Sequence, residues 1–326
     1  MKHLTLGERY KISTLLELGI TKKEIAIHLD RDRSTIYREC KRNDDKRSGD
    51  YKPDLAQRKS ESRHKEKQKN IVFTKQMENF VSTWIKEDFS PEQIKGIAVK
   101  ANLPCVSHER IYQFIWLDKK QGGTQYLHLR NQGRKYQKRG DKQAGRGCIP
   151  NRIDIDQRPA VVDQKKRIGD LEIDLIIGKD HKGALLTIND RATGMLKMGY
   201  LESKAAYQVQ LNTEELLENW RPFIKTITSD NGKEFANHQQ ISEEFNIDFY
   251  FAKPYHSWQR GANENLNGLV RQYFPKGTSF ANITKEKVKE VENKLNNRPR
   301  KRYGFQTPNE VHAKYINQLD CVAFMS

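Results

Sequence analysis

Apolar positions recur every three to four residues over Leu6–Gly19, where Tyr10, Ile12, Leu15, Leu16 and Leu18 fall on one stripe that stops at Gly19. That period predicts a helix, and a glycine after the last apolar residue is a common C-terminal stop. The next stretch, TKKEIAIHL, opens with Thr21 and Glu24 at capping-box spacing. RSTIYRECKRN follows after a very short polar turn. Two short helices joined in this way predict a helix-turn-helix over residues 1–43. Ala26 is small where the helices must approach, and Ile36 returns to the core ten residues later. Asp30 stands at the turn position often taken by Gly, and Asp tolerates the left-handed conformation a tight turn needs.

Residues 44–70 are highly charged and poor in apolar side chains, which predicts a solvated helix or linker. Helical spacing then returns. In SPEQIKGIAVKA, Ser90 is a cap, Pro91 takes the first helical position and Gln93 completes the box. In SHERIYQFIWLD, Ser107 is a cap and Ile111, Phe114 and Ile115 form a core stripe. This second helical module, residues 71–127, reads either as another helix-turn-helix or as a spacer.

From Ile149 the period shifts toward two. GDLEIDLIIG puts Leu171, Ile173 and Leu175 on one face and Asp170, Glu172 and Asp174 on the other. GALLTIND and MLKMGYL predict two further strands joined by the hairpin turn DRATG. After them come a helix in KAAYQVQLNTEELLENW, a strand ending in TSDNG, a helix near 237–245, the strand IDFYFA, a helix through Glu264 and one near 284–297. Three antiparallel strands followed by helix–strand–helix–strand–helix predict a mixed five-stranded sheet flanked by helices over residues 161–326. The chain is therefore expected to be multidomain, an all-α front joined to an α/β domain.

Charge adds a partner to this picture. The net charge is +17, and residues 1–150 carry 33 Lys and Arg against 19 Asp and Glu. A basic front half points to a polyanion, most often nucleic acid. Arg33, Ser34, Thr35, Arg38, Lys41 and Arg42 lie on the second helix of the predicted helix-turn-helix and suit phosphates and base edges. The Gly-rich linker at 128–160 adds Arg134, Lys135 and Arg139, placed to cross a phosphate backbone. The four cysteines lie far apart with no zinc-type spacing, so a reduced cytosolic setting is expected. Neither a membrane span nor a signal-peptide core is expected.

Three acids carry the candidate chemistry. Asp174 lies in an otherwise apolar strand, Asp230 at the end of a later strand and Glu264 near the start of a late helix. A carboxylate in apolar surroundings is expensive unless neutralised, and a divalent cation is one way to neutralise it. Asp170 and Glu172 share the Asp174 face and are spare acids. Asn263 and Asn267 either orient Glu264 or contact substrate, or else belong to the helix cap and surface.

The order strand-Asp, strand-end Asp, helix-Glu resembles the acidic triad of ribonuclease-H-like DDE transposases and retroviral-type integrases. GDLEIDLIIGK, TSDNGKEFA, YHSWQRGANENLNGLVRQYFPKG and NNRPRKRYGFQTPNEV resemble, more closely, the IS-thirty family of bacterial insertion-sequence transposases. The basic front, LTLGERYKI to YRECKRN and SPEQI to SHERIY, resembles that family's DNA-binding region. One departure is visible: where the family usually has Gly-His-Trp-Glu-Gly-Asp, this chain has Gly-Asp-Leu-Glu-Ile-Asp.

The resemblance implies a ribonuclease-H-like catalytic domain with Asp174, Asp230 and Glu264 as catalytic, metal-holding residues. It implies two Mg²⁺ ions, with Mn²⁺ as a substitute, in 3′-end cleavage and strand transfer. Arg271, on the Glu264 face, is expected to contact DNA. The implied partners are double-stranded DNA, as terminal inverted repeats and target, and further copies of the chain in a dimer or higher oligomer on paired ends. The implied location is cytoplasmic, on the bacterial nucleoid. A regulator with a metal-free α/β domain is the other class of reading, and it leaves three spaced acids unexplained.

Overall fold

The computed structural model describes residues 3–45, 47–66, 72–132, 149–253 and 261–323. The chain divides into two units, one through Asn70 and one from Ile71 onward.

The first unit holds α1 (Leu6–Glu17), α2 (Lys22–His28), α3 (Arg33–Asn43) and α4 (Pro53–Glu66). Thr21 and Glu24 form the expected capping box, and Thr5 and Glu8 form another at the start of α1. Asp30 has φ 50°, the left-handed turn residue expected between α2 and α3. Ile12, Ile25, Ala26 and Ile36 are buried together, but Tyr10 and Leu18 of the expected α1 stripe are exposed. Arg9 is buried on α1 instead, donating to Glu39 and Gln57.

Of the solvated helix or linker expected at 44–70, the helix is present as α4, but it packs into this unit instead of standing in solvent. Tyr51 and Ala56 are buried in its core, while Lys59 and Arg63 of α4 donate to acceptors on Asn43 and Asp44 at the end of α3. With so few apolar positions, α4 is held largely by polar contacts, and hydrophobic periodicity had little to report.

In the second unit, α5 (Lys75–Lys86), α6 (Pro91–Lys100) and α7 (His108–Lys120) share a core that includes Val81, Ile85, Ile94, Ala98, Ile111 and Ile115. The Ser90–Gln93 capping box is present, and Ser107 caps α7. This module is built onto the α/β part. Gln93 donates to the Pro299 carbonyl at 2.7 Å, Lys100 pairs with Glu310, and the ring of Phe305 fills the space a side chain at Gly96 would need.

The sheet has six strands: β1 (Ile153–Asp154), β2 (Asp170–Ile177), β3 (Ala184–Asp190), β4 (Leu196–Leu201), β5 (Thr226–Ser229) and β6 (Asp248–Phe251). Their order is β1-β6-β5-β2-β3-β4. The three antiparallel strands and the later parallel ones are as expected; the count of five is corrected by β1. That strand has two residues, too few to alternate, and its pairing with β6 brings part of the expected 128–160 linker into the sheet.

Among the described residues, five α-helices complete the unit: α8 (Ala206–Leu217), α9 (His238–Phe245), α10 (Gly261–Tyr273), α11 (Lys285–Asn296) and α12 (Pro308–Ala323). Leu171 and Ile173 of β2 pack in the cluster holding Val209 of α8 and Ile241 of α9. Ile176, from the other face of β2, packs with Leu266, Leu269 and Val270 of α10 and Val291 of α11. The acid-bearing face of β2 is therefore the face that α10 covers. Among the described residues no helix is long and apolar enough to cross a membrane.

Candidate active site and nucleic-acid surface

Sheet register aligns the first two acids. β2 and β5 run parallel with Glu172 opposite Thr228. Two residues beyond that pair, Asp174 lies within β2 opposite Thr187 of β3, and Asp230 follows the last residue of β5; neighbouring strands lie about 4.8 Å apart in a sheet. The Asp174 carboxylate accepts the Leu175 N–H at 2.9 Å and the Asn267 amide at 2.8 Å. Asp230 accepts the Gly232 N–H at 2.9 Å, a local turn that fixes its carboxylate.

α10 brings the third acid to the same side. Asn267 also accepts from Thr187 of β3 at 3.2 Å, so this face of α10 is tied to two strands. Glu264 is exposed in the first turn of α10, three residues before Asn267 and hence on a neighbouring part of the same face. Among the described residues, no three His, Cys, Asp or Glu side chains gather closely enough to hold a metal ion as they stand. The donor chemistry still suits one: these are hard carboxylate oxygens, one within β2 and one just past the end of its neighbour β5.

The spare acids have structural partners. Asp170 accepts from Arg167 at 2.6 Å and from Thr226 at 2.9 Å. Glu172 accepts from Arg191 at 2.8 Å and from the Asn263 backbone N–H at 2.9 Å. That N–H lies in the first turn of a helix, where the backbone has no intrahelical acceptor, so Glu172 supplies one. Arg191 and Arg158 share Asp163, and Arg158 also donates to Thr228 at 3.0 Å. One polar chain, buried except at Asp163, thus touches β2 two residues before Asp174, β5 two residues before Asp230, and α10 one residue before Glu264. Sequence reading missed it; the opposite charges at 158, 163, 172 and 191 carry no local spacing.

Arg271 is half-buried and donates to the Ile177 carbonyl at 3.2 Å and the Phe274 carbonyl at 3.4 Å, binding the end of α10 to the end of β2. Burial lowers its guanidinium pKa. On α3, Arg33, Ser34, Arg38, Lys41 and Arg42 are exposed and Thr35 is half-buried. Thr35, Arg38 and Arg42 line a groove of about 990 Å³ together with Arg63, His64 and Lys65 of α4, residues the linker reading passed over. Arg134, Lys135 and Arg139 lie outside the described residues.

Comparison with known proteins decides the family. The chain is 53% identical over 325 residues to the transposase for insertion sequence element IS4351 of Bacteroides fragilis, covering 100% of this chain and 99% of that protein. The chain belongs to this family of insertion-sequence transposases. A second member, transposase InsI for insertion sequence element IS30C of Escherichia coli (strain K12), is 32% identical over 332 residues, covering 98% of this chain and 85% of the other. Within the family frame, a helix-turn-helix domain model matches residues 1–43, the span of α1 to α3. The catalytic core domain of BIV integrase aligns with 46% of this transposase-family chain and 97% of its own, at 16% identity and TM-score 0.37.

Proposed function

We propose that this protein is a DNA transposase that binds the terminal inverted repeats of its element and catalyses metal-dependent 3′-end cleavage and strand transfer. The observation that carries the reading is that Asp174 and Asp230 each lie two residues beyond the paired Glu172 and Thr228 of neighbouring strands, with Asn267 of the Glu264 helix bonded to Asp174. Asp174, Asp230 and Glu264 would hold two Mg²⁺ ions. Bound there, the ions would activate the attacking oxygen and stabilise the leaving one in an in-line phosphoryl displacement.

The chain's own groups do the positioning. Asn267 orients the Asp174 carboxylate, and Glu172 holds the start of α10. α3 docks in the major groove, with Arg33, Ser34, Thr35, Arg38, Lys41 and Arg42 against phosphates and base edges. The basic segment with Arg134, Lys135 and Arg139 follows the backbone, and Arg271 supports the end of α10 near the reacting strand. Paired ends call for a dimer or higher oligomer, acting on the bacterial nucleoid.

The test is cleavage of labelled DNA carrying the element's terminal repeat, with Mg²⁺ or with EDTA. Wild type should nick at the repeat boundary and then give strand-transfer products. Glu264→Gln should bind the DNA and do neither. Binding without cleavage by wild type on paired ends, with Mg²⁺ or Mn²⁺, would point to a DNA-binding regulator or an inactive copy instead.

A further inference from the structure

Where the α5–α7 module meets the α/β part, a cleft of about 420 Å³ is lined by Arg130, Gln272, Arg298, Arg300, Lys301 and Arg302. The carboxylates on its wall are Asp88, hydrogen-bonded to His128, and Glu92, paired with Lys301. The arginines bond neutral acceptors. Arg298 donates to Gln272 and to the Tyr273 hydroxyl, Arg300 to the Leu295 carbonyl, and Arg302 to the Arg191 carbonyl. Arg130 donates to the side chain and carbonyl of Asn265. Among the described residues none of these four guanidinium groups has a carboxylate at ion-pair distance. Burial, and then the neighbouring Arg298, pushes Arg300 down to about 10. Arg298 is buried and Arg300 half-buried, while Arg130 and Arg302 are exposed at the mouth, so a row of guanidinium groups runs inward with no carboxylate among the described residues bonded to it, and a bidentate oxyanion is the partner that geometry suits.

Arg130 connects this cleft to the acids. Its guanidinium lies across Gly268, where an added Cβ would sit 1.9 Å from Nη2. Gly268 is one turn beyond Glu264 on the same face of α10. A strand passing Glu264 would meet Arg130 next and the deeper arginines after it.

We propose that this cleft binds backbone phosphates of the DNA strand that passes Glu264, so that the helical module and the α/β part grip it jointly. The proposal rests on the reading of Asp174, Asp230 and Glu264 as the reacting centre. The side chain that Gly268 lacks is what gives Arg130 its seat, so Gly268→Ala tests the site without altering any charge. The displaced atom is the end of a flexible side chain, so the helix itself has room to form.

The experiment measures full-chain affinity for terminal-repeat DNA against salt concentration, in EDTA, for wild type, Arg130→Gln, Arg302→Gln and Gly268→Ala. Each lost phosphate contact should lower the log–log salt slope by about 0.9, so affinity falls about 3.5-fold less than in wild type across a fourfold rise in salt. Gly268→Ala should match Arg130→Gln, with wild-type circular dichroism. Wild-type slopes in all three folded variants would overturn the proposal. Because binding is read without metal, the two readings separate. Lowered slopes in a protein that never cleaves would keep the cleft and remove the catalytic reading; unchanged slopes in a protein that cleaves would do the reverse.

Discussion

Removing the Arg191 guanidinium tests whether the polar chain behind the acids holds the core together. Arg191 and Glu172 are 2.8 Å apart with side chains 3% and 1% exposed, so neither charge has water to fall back on. Breaking a buried pair by deleting one partner costs about 3–5 kcal/mol, because the remaining charge is left uncompensated. In Arg191→Met, Glu172 keeps the Asn263 N–H, and Asp163 keeps Arg158. Those remaining bonds put the expected loss at the low end, about 3 kcal/mol. Stability of about 5–15 kcal/mol is typical, so the protein should still fold. Amide exchange, resolved to peptides from β2 and β3, reads this unit separately from the N-terminal helices. A loss of about 3 kcal/mol should speed exchange there roughly 150-fold. Arg191→Met combined with Glu172→Gln removes both charges and should recover more than half of the loss. Wild-type exchange in the single variant, or a double variant worse than the single one, would refute the account of Glu172 as a buried carboxylate dependent on Arg191.

Gly169→Ala should prevent the α/β part from folding: φ is +89° there, and an added Cβ would sit 1.7 Å from the Phe223 carbonyl oxygen, so soluble expression and circular dichroism should both fall. Cys40, pushed up to about 11 by burial, and Cys105, also raised by burial, should resist alkylation at neutral pH in the native protein and react in denaturant. Peptide mass mapping reads both thiols, and native labelling of Cys40 would contradict the packing of α3 against its neighbours.

Legibility in the sequence followed the range over which each feature is determined. Caps are local, so Thr21–Glu24, Ser90–Gln93 and Ser107 were readable from spacing alone, and Asp30 from its place in the turn. Alternation in β2 is local too, and it put Asp170, Glu172 and Asp174 on one face before any partner was known. What that pattern does not contain is which acid meets what. Glu172 and Asp174 are equivalent by alternation, yet one meets Arg191 and the Asn263 backbone, while the other meets the Asn267 side chain. Two residues along a strand is nearly 7 Å, enough to pass the last β2 residue that pairs with β5. The features missed were non-local. β1 exists through its pairing with β6, the packing of α4 rests mainly on polar contacts with α1 and α3, and the seat of Arg130 depends on a glycine far along the chain.

α10 explains why an exposed carboxylate can still have a defined place. Leu266, Leu269 and Val270 fix the roll of the helix by burying one side of it. Glu172 holds its first turn through the Asn263 N–H, Asn267 ties its middle to Asp174, and Arg271 ties its end to the Ile177 carbonyl. All three attachments go to β2, so helix and strand behave as one piece. Glu264 therefore needs no packing of its own to be positioned. Its backbone is fixed by its neighbours, while its side chain stays exposed on the α10 face beside Asn267. Loosening any one of the three ties should shift Glu264 relative to Asp174 without touching either residue.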